Sequence, residues 1–239
     1  MTIRFACTAA LLTLVVGCNR NVYSPPARAL PLESVATLPE GDTGVQLEGG
    51  IHSRLFGPDV LSGTVRVRRG VADDLDASIE ASTMYVQGEN ARPVRASRAI
   101  HAVRGGVKWR FAKPLAMTAG VGAGYSAGGA FVSPEVGPIL AWENRYLVPF
   151  VATRFGVSQP IGARAVDVSD AQDDSRLEKP ITTWLATGVV GLRLPIGWAR
   201  PQAGTVRGSL LAGFGVTHLF DTRQDDTFGQ LSIGGEIVF

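Results

Sequence analysis

The sequence predicts an all-β fold, a closed antiparallel up-and-down transmembrane β-barrel of about ten strands. Three observations carry that expectation. The 239 residues are 45% hydrophobic with a mean hydropathy of +0.14, yet no long apolar run follows the first twenty residues. Runs of about 11 to 15 residues instead alternate apolar and polar side chains, the length and period of tilted membrane strands. Aromatic residues gather at the two ends of those runs. With 18% charged residues and a net charge of +2, the composition argues against a nucleic-acid binder, a disordered chain and a coiled coil. Two cysteines and three histidines leave little room for a metal cluster or a disulfide framework.

The first segment reads as an export address. Residues 1–18 join Arg4, an apolar stretch from Ala9 to Val16 and a small residue, the three parts of a signal peptide. The stretch is shorter than the roughly 20 apolar residues a membrane helix requires. Its end, Val15-Val16-Gly17-Cys18, resembles a bacterial lipobox, which implies lipidation at Cys18. Cys7 would leave with the signal, so the mature chain would hold no internal disulfide. Residues 19–42, with Pro25, Pro26, Pro31 and Pro39, read as a Pro-rich periplasmic tether. Residues 43–239 form the barrel.

Ten strands follow in order: Gly44–Leu55, Val60–Val71, Leu75–Gln87, Ala99–Ala112, Leu115–Ala127, Ala130–Trp142, Tyr146–Val157, Ile181–Leu194, Thr205–Phe220 and Thr227–Phe239. The second sets Leu61, Val65 and Val67 against Ser62, Thr64, Arg66 and Arg68. The third sets Leu75, Ala77, Ile79 and Tyr85 against Asp76, Ser78, Glu80 and Ser82. The fourth opposes Val103, Val107, Trp109 and Phe111 to Arg104, Lys108 and Arg110, and the sixth Val132, Val136, Leu140 and Trp142 to Ser133, Glu135 and Gly137. The seventh is apolar on both faces. Glycine runs such as 120–124 suit a crowded barrel interior better than a soluble strand. Pro134 and Pro138 count against a strand, since neither donates to a ladder.

Connection lengths support the same topology. Tight links at 72–74, 113–114 and 143–145 alternate with longer ones at 88–98 and 158–180, and with the polar 221–226. The short 128–129 and the longer 195–204 depart from that alternation. Trp109, Phe111, Trp142, Tyr146, Trp198 and Phe239 fall at the end with the tight links. Phe56, Tyr85, Tyr125, Phe131, Phe155, Trp184, Phe220 and Phe228 fall at the other, leaving Phe150 and Phe214 between the belts.

The carboxyl end carries a polar residue, a glycine two positions later, and apolar residues at the third-last and last positions. Ser232, Gly234, Ile237 and Phe239 fill those places, with Leu231, Ile233 and Gly235 on the outward face. This pattern resembles the closing strand of bacterial outer-membrane β-barrel proteins. It implies recognition by the barrel-assembly machinery and residence in outer-membrane lipid. Ile237 stands where an aromatic is commoner.

Parity sends most strand charges to one side, which places them in the lumen because charge is costly against lipid. The expected network comprises Glu48, Arg54, Arg66, Glu80, Arg104, Lys108, Glu135, Arg154, Arg207 and Glu236, with Arg68, Asp76, Arg110 and Arg193 beside it. It fits either an Arg–Glu network filling a small barrel or a narrow pore favouring a small anionic solute. The expected function is a non-enzymatic, structural or narrow pore-like lipoprotein of the envelope, with no catalytic or metal residue and no cofactor.

Two other classes compete. A barrel-mouth hydrolase would use His52, the only one of His52, His101 and His218 that parity turns inward. The outer-membrane proteases it would resemble place Asp–His pairs at the rim. A soluble periplasmic lipoprotein binding an apolar ligand would reverse the faces, turning Arg66 and Lys108 outward. The acidic loop 158–179 lacks the glycine spacing of a cation loop and reads as a solvated surface.

Overall fold

Alternation along each run fixes two faces per strand, and a computed structural model of the chain shows where they go. It describes residues 22–53, 60–86, 99–167, 177–196 and 206–239. Twelve strands occur there: β1 (Thr43–Ser53), β2 (Val60–Ala72), β3 (Leu75–Val86), β4 (Ala99–Ala112), β5 (Leu115–Ser126), β6 (Gly129–Ala141), β7 (Val148–Ile161), β8 (Val166–Asp167), β9 (Leu177–Glu178), β10 (Thr183–Ile196), β11 (Arg207–Phe220) and β12 (Asp225–Val238). Ten of them close into one antiparallel barrel, in which neighbours in the sequence are neighbours in the wall. The seam joins β1 to β12, from Gly44 opposite Val238 to Ser53 opposite Gly229. The remaining two form a small hairpin, β8–β9, within the long connection between β7 and β10. That hairpin has no counterpart in the sequence reading.

Barrel strands of 11 to 14 residues meet or exceed the roughly 9–11 that a tilted strand needs to cross a bilayer. Their outward positions are apolar on every side: Leu47, Val65, Ile79, Val103, Val121, Leu140, Val190, Phe214 and Ile233 are all exposed. In the second, third, fourth and sixth expected strands the faces lie as the alternation requires, with Arg66 and Lys108 buried inside. The reversed faces of a soluble ligand-binding barrel are therefore not what this chain adopts.

One end, here the turn end, carries the tight links and both ends of the barrel's chain path. The other is the loop end. Trp109, Phe111, Trp142, Tyr146 and Phe239 are exposed near the turn end, and Tyr85, Tyr125, Phe155, Trp184 and Phe220 near the loop end. Phe131 corrects the belt. It is 1% exposed and turns into the lumen, where it packs with Ala27 and Ala102. Pro134 and Pro138 are accommodated because the β6–β7 register omits pairs at 133–134 and 137–138, beside each proline, while the β5–β6 ladder runs unbroken.

The largest departure concerns the described part of the expected 19–42 tether, residues 22–42. From Tyr23 to Pro39 the chain is not a periplasmic tether but lies inside the barrel, with Leu32 and Val35 at 0% exposure. Its prolines suit that place. An extended segment with no partner strand must satisfy each buried N–H, and every proline removes one such donor. A turn then reverses the chain into β1: the Asp42 amide donates to the Pro39 carbonyl at 3.1 Å, and Gly41 takes the positive φ of 88° that a type II turn demands at its third residue.

Candidate functional site

Among the described residues the lumen gathers the densest polar chemistry, and residues 23–39 occupy it. The segment enters at the loop end. The Ser24 amide donates to Thr183 Oγ1 at 3.0 Å, its hydroxyl meets Ser158 Oγ at 2.8 Å, and Tyr23 bridges Ile181 in parallel. Ser158 and Thr183 are direct register partners of β7 and β10. Further down, Ser82 donates to the Ala27 carbonyl at 2.8 Å and Gln46 to that of Leu32 at 2.9 Å. Near the turn end, Arg68 and Lys108 both donate to the Ala36 carbonyl, and the Leu38 amide donates to Asp76 Oδ1 at 2.8 Å. Side chains of the wall thus replace the ladder that the segment lacks.

Two of its own side chains complete a charge cluster. Arg28 reaches Glu80 Oε2 at 3.0 Å through Nε and Glu33 Oε1 at 3.1 Å through Nη2. Glu33 accepts from Arg66 at 2.9 Å and lies 3.8 Å from Arg154. Arg66 also meets Glu48 and Glu80, each at 3.0 Å. Arg104 joins Glu80 to Glu135 at 2.8 Å on either side, and Arg154 closes on Glu135 at 3.1 Å. Arg28, Arg66, Arg104 and Arg154 therefore balance Glu33, Glu48, Glu80 and Glu135, all of them buried. Burial of so many charges is tolerable only with this mutual pairing.

A second cluster lies toward the turn end. Arg68 pairs with both Asp76 and Glu236, and Lys108 lies 3.5 Å from Asp76. Arg193 donates to Ser209, which donates to Glu236, while Arg207 pairs with Asp42 where the segment turns into β1. Arg110 is half-buried at the mouth, in a cleft of about 530 Å³ that Arg145, Arg193 and Glu143 also line.

Opposite the charges the lumen is apolar. Leu30, Leu32 and Val35 pack with Ala116, Ile139, Val148, Phe150, Val189 and Leu211. This explains the two apolar faces of β7: one meets the surroundings, the other the segment. Glycines make the room. A Cβ on Gly213 would lie 2.7 Å from Leu32 Cδ2, and one on Gly215 2.5 Å from Leu30 Cδ1. A Cβ on Gly122 would strike Ala27.

The expected network is thus brought together at Glu48, Arg66, Glu80, Arg104, Glu135 and Arg154, with Lys108, Arg207 and Glu236 in the second cluster. Arg54, Phe56, Trp198, Cys18 and the rest of the signal segment lie outside the described residues, as do 168–176 of the acidic loop. Arg28 and Glu33 were missed, although the apolar lumen face of β7 signals that something apolar must fill the barrel. His52 turns inward, His101 and His218 to the outer face. The His52 ring lies 2.6 Å from Ser62 Oγ and is hydrogen-bonded by Gln230. A carboxylate that would orient the base of a nucleophilic triad is replaced there by an amide. Among the described residues no group of three potential metal ligands occurs. Ser232 and Gly234 face the lumen, Ile237 and Phe239 the outer surface.

No known family matches the sequence, and no curated protein matches it either. Among solved structures, the chain is similar to the Neisserial surface protein A at 12% identity and a TM-score of 0.40, over 82% of this chain and 95% of that one. It is similar to the N-terminal β-barrel domain of Pseudomonas aeruginosa OprF at 10% identity and a TM-score of 0.35, over 84% and 98%. Ail, the attachment invasion locus protein of Yersinia pestis, follows at 9% identity and a TM-score of 0.32, over 84% and 99%.

Proposed function

We propose that the protein is an outer-membrane β-barrel lipoprotein of the bacterial envelope, lipidated at Cys18, whose barrel is a sealed structural platform rather than a pore or an enzyme. The apolar belt around every strand supports membrane residence, and the Ser232, Gly234, Ile237, Phe239 pattern supports delivery by the barrel-assembly machinery. Tight turns and both barrel termini belong on the periplasmic side of such a membrane, with the longer loops outside. One observation carries the sealed reading: residues 23–38 fill the lumen and ion-pair or pack with its walls along their length. Arg28, Glu33 and Leu32 lie buried across the lumen that a small anionic solute would have to traverse. The His52–Ser62 pair sits under cover with Gln230 and supports a structural polar contact, not a hydrolase.

The test is conductance. The full mature chain in a planar bilayer should add no discrete current steps. Anion-leaning channel openings from that chain would overturn the sealed reading in favour of a narrow pore.

A further inference from the structure

The direction in which residues 23–42 run through the barrel decides on which side the amino-terminal part of the chain emerges. β10 descends from the loop end, and Tyr23 bridges Ile181 in parallel just before that strand begins. Ser24 is fastened at the same end by Thr183 and Ser158. The segment then passes the mid-lumen cluster through Arg28 and Glu33, reaches Asp76 through Leu38, and leaves by the Pro39–Asp42 turn into β1 at the turn end. The polypeptide therefore crosses the membrane first inside its own barrel.

We propose that everything amino-terminal to Tyr23, Cys18 with its lipid included, lies on the cell-surface side, so that the acyl chains enter the outer leaflet and not the periplasmic one. This rests on the reading of the barrel as an outer-membrane lipoprotein with its turn end in the periplasm. Chain length makes the assignment strict. Four residues lie between Cys18 and Tyr23, so five chain steps join them, a reach of at most about 18 Å at roughly 3.6 Å per step. The hydrocarbon core alone is about 30 Å thick, so Cys18 cannot return around the wall to the periplasmic leaflet. Nor does the segment slide: Gly122, Gly213 and Gly215 each accept one particular side chain of it, and a shift along the lumen would part Arg28 and Glu33 from Glu80 and Arg66. The partner this predicts is the lipid of the outer leaflet.

A membrane-impermeant maleimide applied to intact cells tests the inference with three single substitutions in the full chain. Asn21→Cys marks the segment, Thr222→Cys the β11–β12 loop, and Lys113→Cys the β4–β5 turn. Expected is labelling of Asn21→Cys as full as that of Thr222→Cys, with Lys113→Cys labelled only after the outer membrane is permeabilised. Labelling of Asn21→Cys only after permeabilisation, while Thr222→Cys labels on intact cells, would overturn the inference and leave the barrel reading standing. Labelling of Lys113→Cys but not Thr222→Cys on intact cells would invert the barrel and overturn both. Unboiled migration on a detergent gel checks that each variant is folded. If incorporation of labelled fatty acid into the chain fails, the lipid in the outer leaflet is refuted, and the same three substitutions in a Cys18→Ser background, where the introduced cysteine reports alone, then decide the path.

Discussion

Around residues 23–38 the wall formed by β1 to β4 presents charge, with Glu135 and Arg154 completing the ring, whereas β5 to β7, β10 and β11 present mainly methyl groups and glycine, with Arg193 and Arg207 at the turn end. Both halves hold the same segment, and they hold it differently. Apolar burial is non-directional and tolerates small slips at modest cost. A buried ion pair gains little net stability over an apolar contact but punishes any arrangement that separates its members. The charged half therefore supports a unique register for the segment, and the apolar half supplies the larger share of its net stabilisation.

Three substitutions would break or sharpen that contrast. The largest effect is expected from Glu33→Ala, which leaves Arg28 and Arg66 each without one buried carboxylate and should destabilise the barrel by about 3–5 kcal/mol. Thermal conversion of the unboiled to the boiled gel form would show it as a clear fall in midpoint. A midpoint equal to the wild type would mean that the charged half does not hold the segment. Leu32→Ala comes next, at about 2–4 kcal/mol for the cavity left against Val189 and Phe150. Here the segment should loosen without losing register, so amide exchange over 23–38 should quicken uniformly. Smallest is Gly213→Ala, at about 1 kcal/mol for crowding Leu32. Combined with Leu32→Ala its cost should vanish, because the added methyl enters the space that the leucine leaves. Simple additivity of the two midpoints would show that Gly213 does not accommodate Leu32.

Strand parity made the wall legible before any coordinates. The Arg66/Val67 and Lys108/Trp109 alternations settle which face turns outward, because one residue's shift reverses every side chain. The filling was not legible. Residues 23–38 have neither a period of two nor one of 3.6, since the segment borrows its hydrogen bonds from scattered side chains instead of a neighbouring strand. Its partners are far away in sequence: Ser24 meets Thr183 at a separation of 159 residues. Four prolines within residues 19–42 gave that stretch the composition of a linker. Arg28 and Glu33 looked solvated for the same reason. The trace it left was indirect, in the lumen positions Ile139, Phe150 and Leu211 that water would not suit. Phe131 was misread as a belt residue because position along the strand says nothing of face.

The turn at Pro39–Asp42 lays the segment back against the strands that follow it, and this decides how far along the chain each of its contacts must reach. Bonds on the charged side span short stretches of chain, 16 residues from Leu32 to Glu48 and 38 from Leu38 to Asp76. Contacts on the apolar side must wait for Val189 and Leu211, and the seam waits for β12. Short loops cost less entropy to close than long ones. Contact range therefore favours the segment docking on the first strands as a mandrel, around which the rest of the sheet can curl until β12 zips to β1.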